Sequence, residues 1–324
     1  MAQHDLGVFY ERGTGVAQDY ALAVSWYRKA ADQGLARSQN NLGVMYEHGT
    51  GVAQDYALAV NWYREAADQG YAMAQCNLGV MYEHGTGVPQ DFALAVSWYR
   101  KAADQGHALC QSNLGVMYTN GTGAAQDFAL AVSWFRKAAD QGNATAQCNL
   151  GVMYQRGTGV PQDDALAVSW FRKAADQGFA QCQHNLGSMY TNGTGVAQDY
   201  ALAVSWYRKG ADQGNTMAQD ALGAAYYNGE GVAQNFETAL SWFIKAAGRG
   251  DPDAQANLGA FYFNGRGASP DYMQAYKWFA LSVAGQTDAS EREGDIRNRN
   301  IVAAKMTPDQ ILEAEKLVGE WKAN

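Results

Sequence analysis

Apolar residues stand four apart at Ala74, Leu78 and Tyr82, which marks one face of a helix. Gly79 interrupts that face, where a glycine costs about 1 kcal/mol against alanine. The position therefore predicts a contact too close for a side chain. The pattern stops at Gly85-Thr86-Gly87, a tight turn built on positive-φ glycines. Asp91 then supplies an N-cap for a second helix. In that helix Ala95, Trp98, Tyr99 and Ala102 fall at i, i+3, i+4 and i+7, and Gly106 closes it. The segment reads as a helical hairpin.

The hairpin repeats. Leu-Gly recurs at Leu6-Gly7, Leu42-Gly43, Leu78-Gly79, Leu114-Gly115, Leu150-Gly151, Leu186-Gly187, Leu222-Gly223 and Leu258-Gly259, always 36 residues apart. A fixed period in this range marks an array in which each unit buries its apolar faces against its neighbours. Eight copies over residues 1–286 predict an all-α solenoid, with residues 287–324 as C-terminal capping helices. In the tail, Thr307-Pro308-Asp309-Gln310 combines an N-cap, a proline at N1 and a capping-box glutamine. Ile311, Ala314, Leu317, Val318 and Trp321 form the apolar stripe behind it. Met1 enters part-way through a first helix, which leaves room for an earlier natural start.

Composition narrows the function. The 324 residues are 47% apolar and 17% charged, with a net charge of −8. Lysine and arginine are scattered evenly rather than gathered on a basic face, so no nucleic-acid partner is expected. No apolar run approaches the length of a membrane helix, and no membrane insertion is expected. The start of the chain has no secretory signal. Both a cytoplasmic location and, after N-terminal processing, a periplasmic or secreted one remain open. The 36 glycines are accounted for by turns, caps and close packing.

The string Ala74-Gln75-Cys76-Asn77-Leu78-Gly79, followed by Tyr82, Gly85-Thr86-Gly87-Val88, Asp91 and Trp98-Tyr99-Arg100-Lys101-Ala102-Ala103, resembles the Sel-one-like repeat (SLR). That family is a branch of the tetratricopeptide-like helical repeats. The resemblance implies a right-handed superhelix of paired helices whose first helices line a concave groove. It also implies an adaptor or scaffold for other proteins, often in bacterial envelope, signalling or host-contact settings. Leu94 and its counterparts Leu22, Leu58, Leu130, Leu166 and Leu202 depart from the family, which more often has lysine there.

Comparing the copies with one another locates the variable surface. The second helices are nearly constant. In the first helices the slot of Met73 also holds Arg37, Leu109, Thr145, Gln181, Met217 and Asp253. The slot of Cys76 holds His4, Asn40, Ser112, Cys148, His184, Asp220 and Ala256. The slot of Glu83 holds Glu47, Thr119, Gln155, Thr191, Tyr227 and Phe263. Positions 73, 76, 80 and 83 share one helix face, with Val80 and Val116 in a constant apolar row between them. This stripe is the expected recognition surface for a protein or peptide partner, against the alternative of drift on a solvent-facing stripe. Asn41, Asn77, Asn113, Asn149 and Asn185 flank it as a ladder. Two readings of the ladder stand: a clamp for peptide backbone, or bonds to the neighbouring repeat.

No catalytic triad, P-loop or paired carboxylate is identifiable, so neither an enzyme nor a cofactor is expected. His48 and His84 are too far apart to share a zinc, and no metal is expected. Four cysteines are too few for a disulfide scaffold. Like-slot cysteines lie two repeats apart, and the relatives that carry disulfides pair them within one unit. Free thiols are therefore expected. The alternative to a peptide-binding scaffold is a structural, self-assembling array. The chain is expected to be a monomer with scope for end-to-end association.

Overall fold

The computed structural model describes residues 1–265 and 269–322. The described residues form eighteen α-helices and no strand. In chain order these begin α1 (Ala2–Arg12), α2 (Tyr20–Ala31), α3 (Ala36–His48), α4 (Tyr56–Asp68), α5 (Ala72–His84) and α6 (Phe92–Asp104). Then come α7 (Ala108–Asn120), α8 (Phe128–Asp140), α9 (Ala144–Arg156), α10 (Asp164–Asp176), α11 (Ala180–Asn192) and α12 (Tyr200–Asp212). The last six are α13 (Thr216–Asn228), α14 (Phe236–Ala247), α15 (Pro252–Asn264), α16 (Tyr272–Gly285), α17 (Ala289–Ala303) and α18 (Pro308–Glu320). Odd-numbered helices up to α15 are the first helices of the repeats, and even-numbered ones up to α16 the second. The chain divides into two compact units, residues 1–162 and residues 163–324.

In the first unit each hairpin is set by local chemistry. The Asp91 side chain accepts from the Leu94 N–H at 2.9 Å and starts α6, while Gly85 ends α5 in the left-handed region at φ 69°. Gly79 lets the two helices close: a Cβ there would lie 2.6 Å from ring carbons of Tyr99. Gly87 does the same between repeats, because its Cβ would lie 2.4 Å from the Tyr56 carbonyl oxygen. The core repeats with the sequence, running through Tyr27, Tyr63, Tyr99, Phe135, Leu42, Leu78 and Leu114, all fully buried.

Polar side chains tie one repeat to the next. The buried Gln75 amide donates to the Ala67 carbonyl of the preceding repeat at 3.1 Å, and Gln105 donates to the Gln75 oxygen at 2.7 Å. Gln39, Gln111 and Gln147 make the same bond to the preceding second helix. Arg64 donates to the Tyr82 hydroxyl of the next repeat at 2.8 Å, while within α6 Lys101 lies 3.7 Å from the centre of the Trp98 ring. The leucine row that departs from the family is exposed at Leu22, Leu58 and Leu94, beside exposed Tyr20, Tyr56 and Phe92.

The cysteines overturn the expectation of free thiols. Cys76 of α5 and Cys110 of α7 form a disulfide with a Cα–Cα distance of 5.8 Å, and none of the four cysteines is free. First helices of neighbouring repeats cross so that position 76 faces a residue 34 further on, rather than its own counterpart at 36. The same offset brings His4 Nδ1 within 2.9 Å of Ser38 Oγ. Cys148 and Cys182 share that spacing in the sequence. The bond joins two repeats, whereas the resemblance implied pairing within one.

In the second unit the same hairpins run to α16, and Gln219 and Gln255 repeat the bond to the preceding second helix. The helices α17 and α18 follow. Thr307 and Gln310 form the capping box foreseen in the sequence, with Pro308 in the first turn. Val302 and Ala314 are buried against Ala275, Tyr276 and Phe279 of α16, and Trp321 meets Trp278 edge to face at 6.3 Å. Of the proposed cap at 287–324, residues 323 and 324 lie outside the described residues.

Candidate protein-interaction surface

The two helix sets differ in how closely they approach. In the first unit α7 touches α9, and in the second α11 touches α13 and α13 touches α15. No second helices of neighbouring repeats come as close among the described residues. The first-helix side of each stack is thus the crowded side, and the variable residues sit on it.

The structure sorts the candidate residues into three groups. Met73 is exposed, as are Leu109 and Met217 in the same slot. Position 76 belongs to the contact between repeats, where Cys76 is buried in its disulfide. Glu83 is half-buried, and its carboxylate accepts from the Tyr99 hydroxyl at 2.5 Å. Glu47 does the same for Tyr63, and Glu11 for Tyr27. Burial first, then the neighbouring carboxylate, pushes the Tyr99 and Tyr63 hydroxyls well above the usual phenol range. Part of the variation at position 83 therefore follows the partner on the second helix: Glu with Tyr in repeats one to three, and Thr119 with Phe135 in repeat four.

The asparagine ladder bridges repeats at Asn77. Asn77 donates to Asn40 Oδ1 of the preceding repeat at 3.1 Å, and Asn41 accepts from Asn40 at 3.5 Å. Asn185 accepts from Gln181 at 3.1 Å. The Asn149 side chain makes no hydrogen bond among the described residues. Its counterpart to Tyr99 is Phe135, which has no hydroxyl.

Where the Glu–Tyr pair is lost in repeat four, space opens. A cavity of about 330 Å³ lies between α7 and α9, with Phe128 and Phe135 of α8 behind it. Val116, Val152 and Met153 complete its apolar part; Thr119, Asn120, Asn149, Arg156 and Thr158 supply its polar groups. The corresponding place between α11 and α13 holds a cavity of about 120 Å³, where Thr191 and Tyr207 share a 2.9 Å hydroxyl contact. Between α13 and α15 it holds one of about 230 Å³, lined by Ala224, Tyr227, Phe243, Asn257, Ala260 and Phe261. Tyr227 packs there against Phe261 at 5.9 Å. Val80, half-buried, is the counterpart of Val116 one repeat earlier.

One further cluster is chemically suggestive. Cys76, Cys110 and His107 have ligand atoms within 4.8 Å of one another. The two sulfurs are bonded to each other, so neither is a thiolate able to bind metal in this state. His107 Nδ1 is buried without a partner, and burial holds the imidazole below its ordinary pKa. Sequence reasoning missed this cluster because Cys76 and Cys110 occupy different slots.

Comparison with known proteins agrees with the period and its phase. The Sel1 repeat matches residues 1–35, 36–71, 72–107, 108–143, 144–179, 180–215, 216–251 and 252–285. A protective antigen present in uropathogenic Escherichia coli strains, with an SLR fold, is 34% identical over 99% of this chain and 83% of its own, with a TM-score of 0.52. A Sel1 repeat protein from Oxalobacter formigenes is 32% identical over 76% of this chain and 97% of its own, with a TM-score of 0.69. A signal-transduction ATPase from Pyrococcus horikoshii with a tetratricopeptide repeat sensor, 14% identical over 96% of this chain and 54% of its own at a TM-score of 0.53, shares the fold alone. No curated protein matches the chain. Eight in-phase repeats and two relatives above 30% identity establish that this chain belongs to the Sel1 repeat family.

Proposed function

We propose that the chain is a protein-interaction scaffold that holds a peptide or partner segment along the first-helix face and performs no catalysis. Sel1-like helical repeats generally serve as interaction scaffolds, and among the described residues no helix is long and apolar enough to cross a membrane. The observation that carries the reading is the recurrence of one cavity at one place in the repeat, at about 330, 120 and 230 Å³. An array of equivalent openings with different linings is what reading an extended partner requires. The test is capture of a purified partner by the protein and by Met73→Asp, Leu109→Asp and Val116→Asp variants. Loss of binding with helicity kept is expected; full binding by all three removes the reading.

The alternative, a self-assembling array, draws on a different surface. Tyr20, Leu22, Tyr56, Leu58, Phe92 and Leu94 form an exposed apolar row on the second helices of repeats one to three. Light scattering across a concentration series separates the two: a monomer throughout argues against assembly.

A further inference from the structure

We infer that the cavity between α7 and α9 is a pocket for an aromatic side chain of an extended partner segment, with an adjacent Asp or Glu of that segment held by Arg156. The inference rests on the scaffold reading and gives it a partner chemistry. Three observations converge on it.

The first is how the space arises. Repeats one to three place a Glu–Tyr pair at this position, as Glu83 and Tyr99 show. In repeat four the pair becomes Thr119 and Phe135, which removes a carboxylate arm and a hydroxyl at once. The cavity of about 330 Å³ that results is not refilled by a larger neighbour. An apolar cavity of about 150 Å³ already takes up a benzene molecule. The pocket therefore has room for a whole ring, and Phe128 and Phe135 offer it the offset or edge contacts aromatics prefer.

The second is the orphaned amide. Tyr99 presents a hydroxyl to the asparagine slot of the next repeat, whereas Phe135 presents none to Asn149, whose side chain makes no hydrogen bond among the described residues. Its donor and acceptor line the same cavity, placed for the backbone of a bound segment.

The third is charge. Arg156 lines the cavity and makes no ion pair with any described residue, in a chain of net charge −8. His48 and His84 occupy its slot in repeats two and three. An unpaired guanidinium beside an apolar pocket fits a carboxylate next to the anchoring ring.

The structure also supplies the control. Thr119→Glu with Phe135→Tyr restores the pair that repeats one to three already carry, closing the pocket with a combination the fold accepts. Arg156→His copies the residue that repeats two and three carry in that slot. A random twelve-residue peptide library displayed on phage would be selected on the unmodified protein. The leading peptide would then be measured on each variant by fluorescence anisotropy. The expected result is enrichment of an aromatic residue beside Asp or Glu. Affinity should fall at least tenfold in the double variant and several-fold in Arg156→His, with unchanged circular dichroism and melting. Enrichment without that pairing, affinity indifferent to both variants, or no enrichment over the double variant overturns the pocket. If the enriched peptides are instead lost only with Met73→Asp or Leu109→Asp, the pocket falls and the first-helix face stands as the binding surface.

Discussion

The hydroxyl of Tyr99 donates to the carboxylate of Glu83 across 2.5 Å, joining the two helices of the third repeat. Tyr99 is fully buried and Glu83 half-buried, so removing one partner strands the other. Tyr99→Phe alone is expected to cost about 1–2 kcal/mol in chemical denaturation, near the lower end for a bond to a charged group. Adding Glu83→Thr reproduces the fourth repeat and should recover most of that loss. A double-mutant cycle with no coupling between the two changes would contradict the pairing.

The Cys76–Cys110 disulfide closes 34 residues of sequence separation between two repeats. Loop-closure entropy puts its contribution at about 2–4 kcal/mol. The Cys76→Ser, Cys110→Ser double variant should therefore melt lower than the oxidised protein and match it after reduction at these two cysteines. Mass spectrometry of the unreduced tryptic digest should show the Cys76 and Cys110 peptides linked.

Gly79 is where the ring of Tyr99 needs the missing side chain. Alanine improves helix propensity by about 1 kcal/mol, yet its Cβ would sit 2.6 Å from that ring. Overpacking of this kind costs about 1–3 kcal/mol. Gly79→Ala should therefore lower stability, and Tyr99→Leu in the same chain should relieve part of the loss.

Asp220 occupies the slot of Cys76 in repeat seven and accepts from Asn257 at 2.8 and 3.0 Å. Burial pushes its carboxyl up to about 6, against the downward pull of the Asn257 bonds. The folded state thus holds the proton more tightly than the unfolded one. Its contribution to stability is present in acid, declines as pH rises from about 4 to 6, and is lost above that. Asp220→Asn keeps an acceptor for Asn257, as Asn40 does for Asn77. The variant should gain about 1 kcal/mol at neutral pH, discounted for solvent screening because the site is not fully buried, and nothing near pH 4. Urea midpoints at the two pH values check it.

Much of this was legible in the chain because it is periodic or local. The Leu-Gly spacing gave the repeat, Asp91 and Gly85 the helix ends, and Thr307 with Gln310 the last cap. Contacts between repeats were harder. Comparing like slots finds partners 36 residues apart, but crossed helices meet at other offsets, as Cys76 with Cys110 and Asn77 with Asn40 do. The change from Glu83 to Thr119 was visible as variation. Its dependence on Tyr99 and Phe135 was hidden because that pairing runs between the two helices of a hairpin, at a rotation set by packing. Gln75 is the opposite case: it is constant across the repeats, so comparing copies does not reveal that its amide donates to the Ala67 carbonyl.

The central claim is that partners dock on the first-helix face, and site-specific photocrosslinking tests it most directly. A benzophenone side chain would replace exposed Leu109 of α7 in one protein and exposed Leu94 of α6 in another. With a captured partner, the account predicts crosslinks from position 109, abolished by Val116→Asp, and none from position 94. Crosslinks from position 94 alone would contradict it.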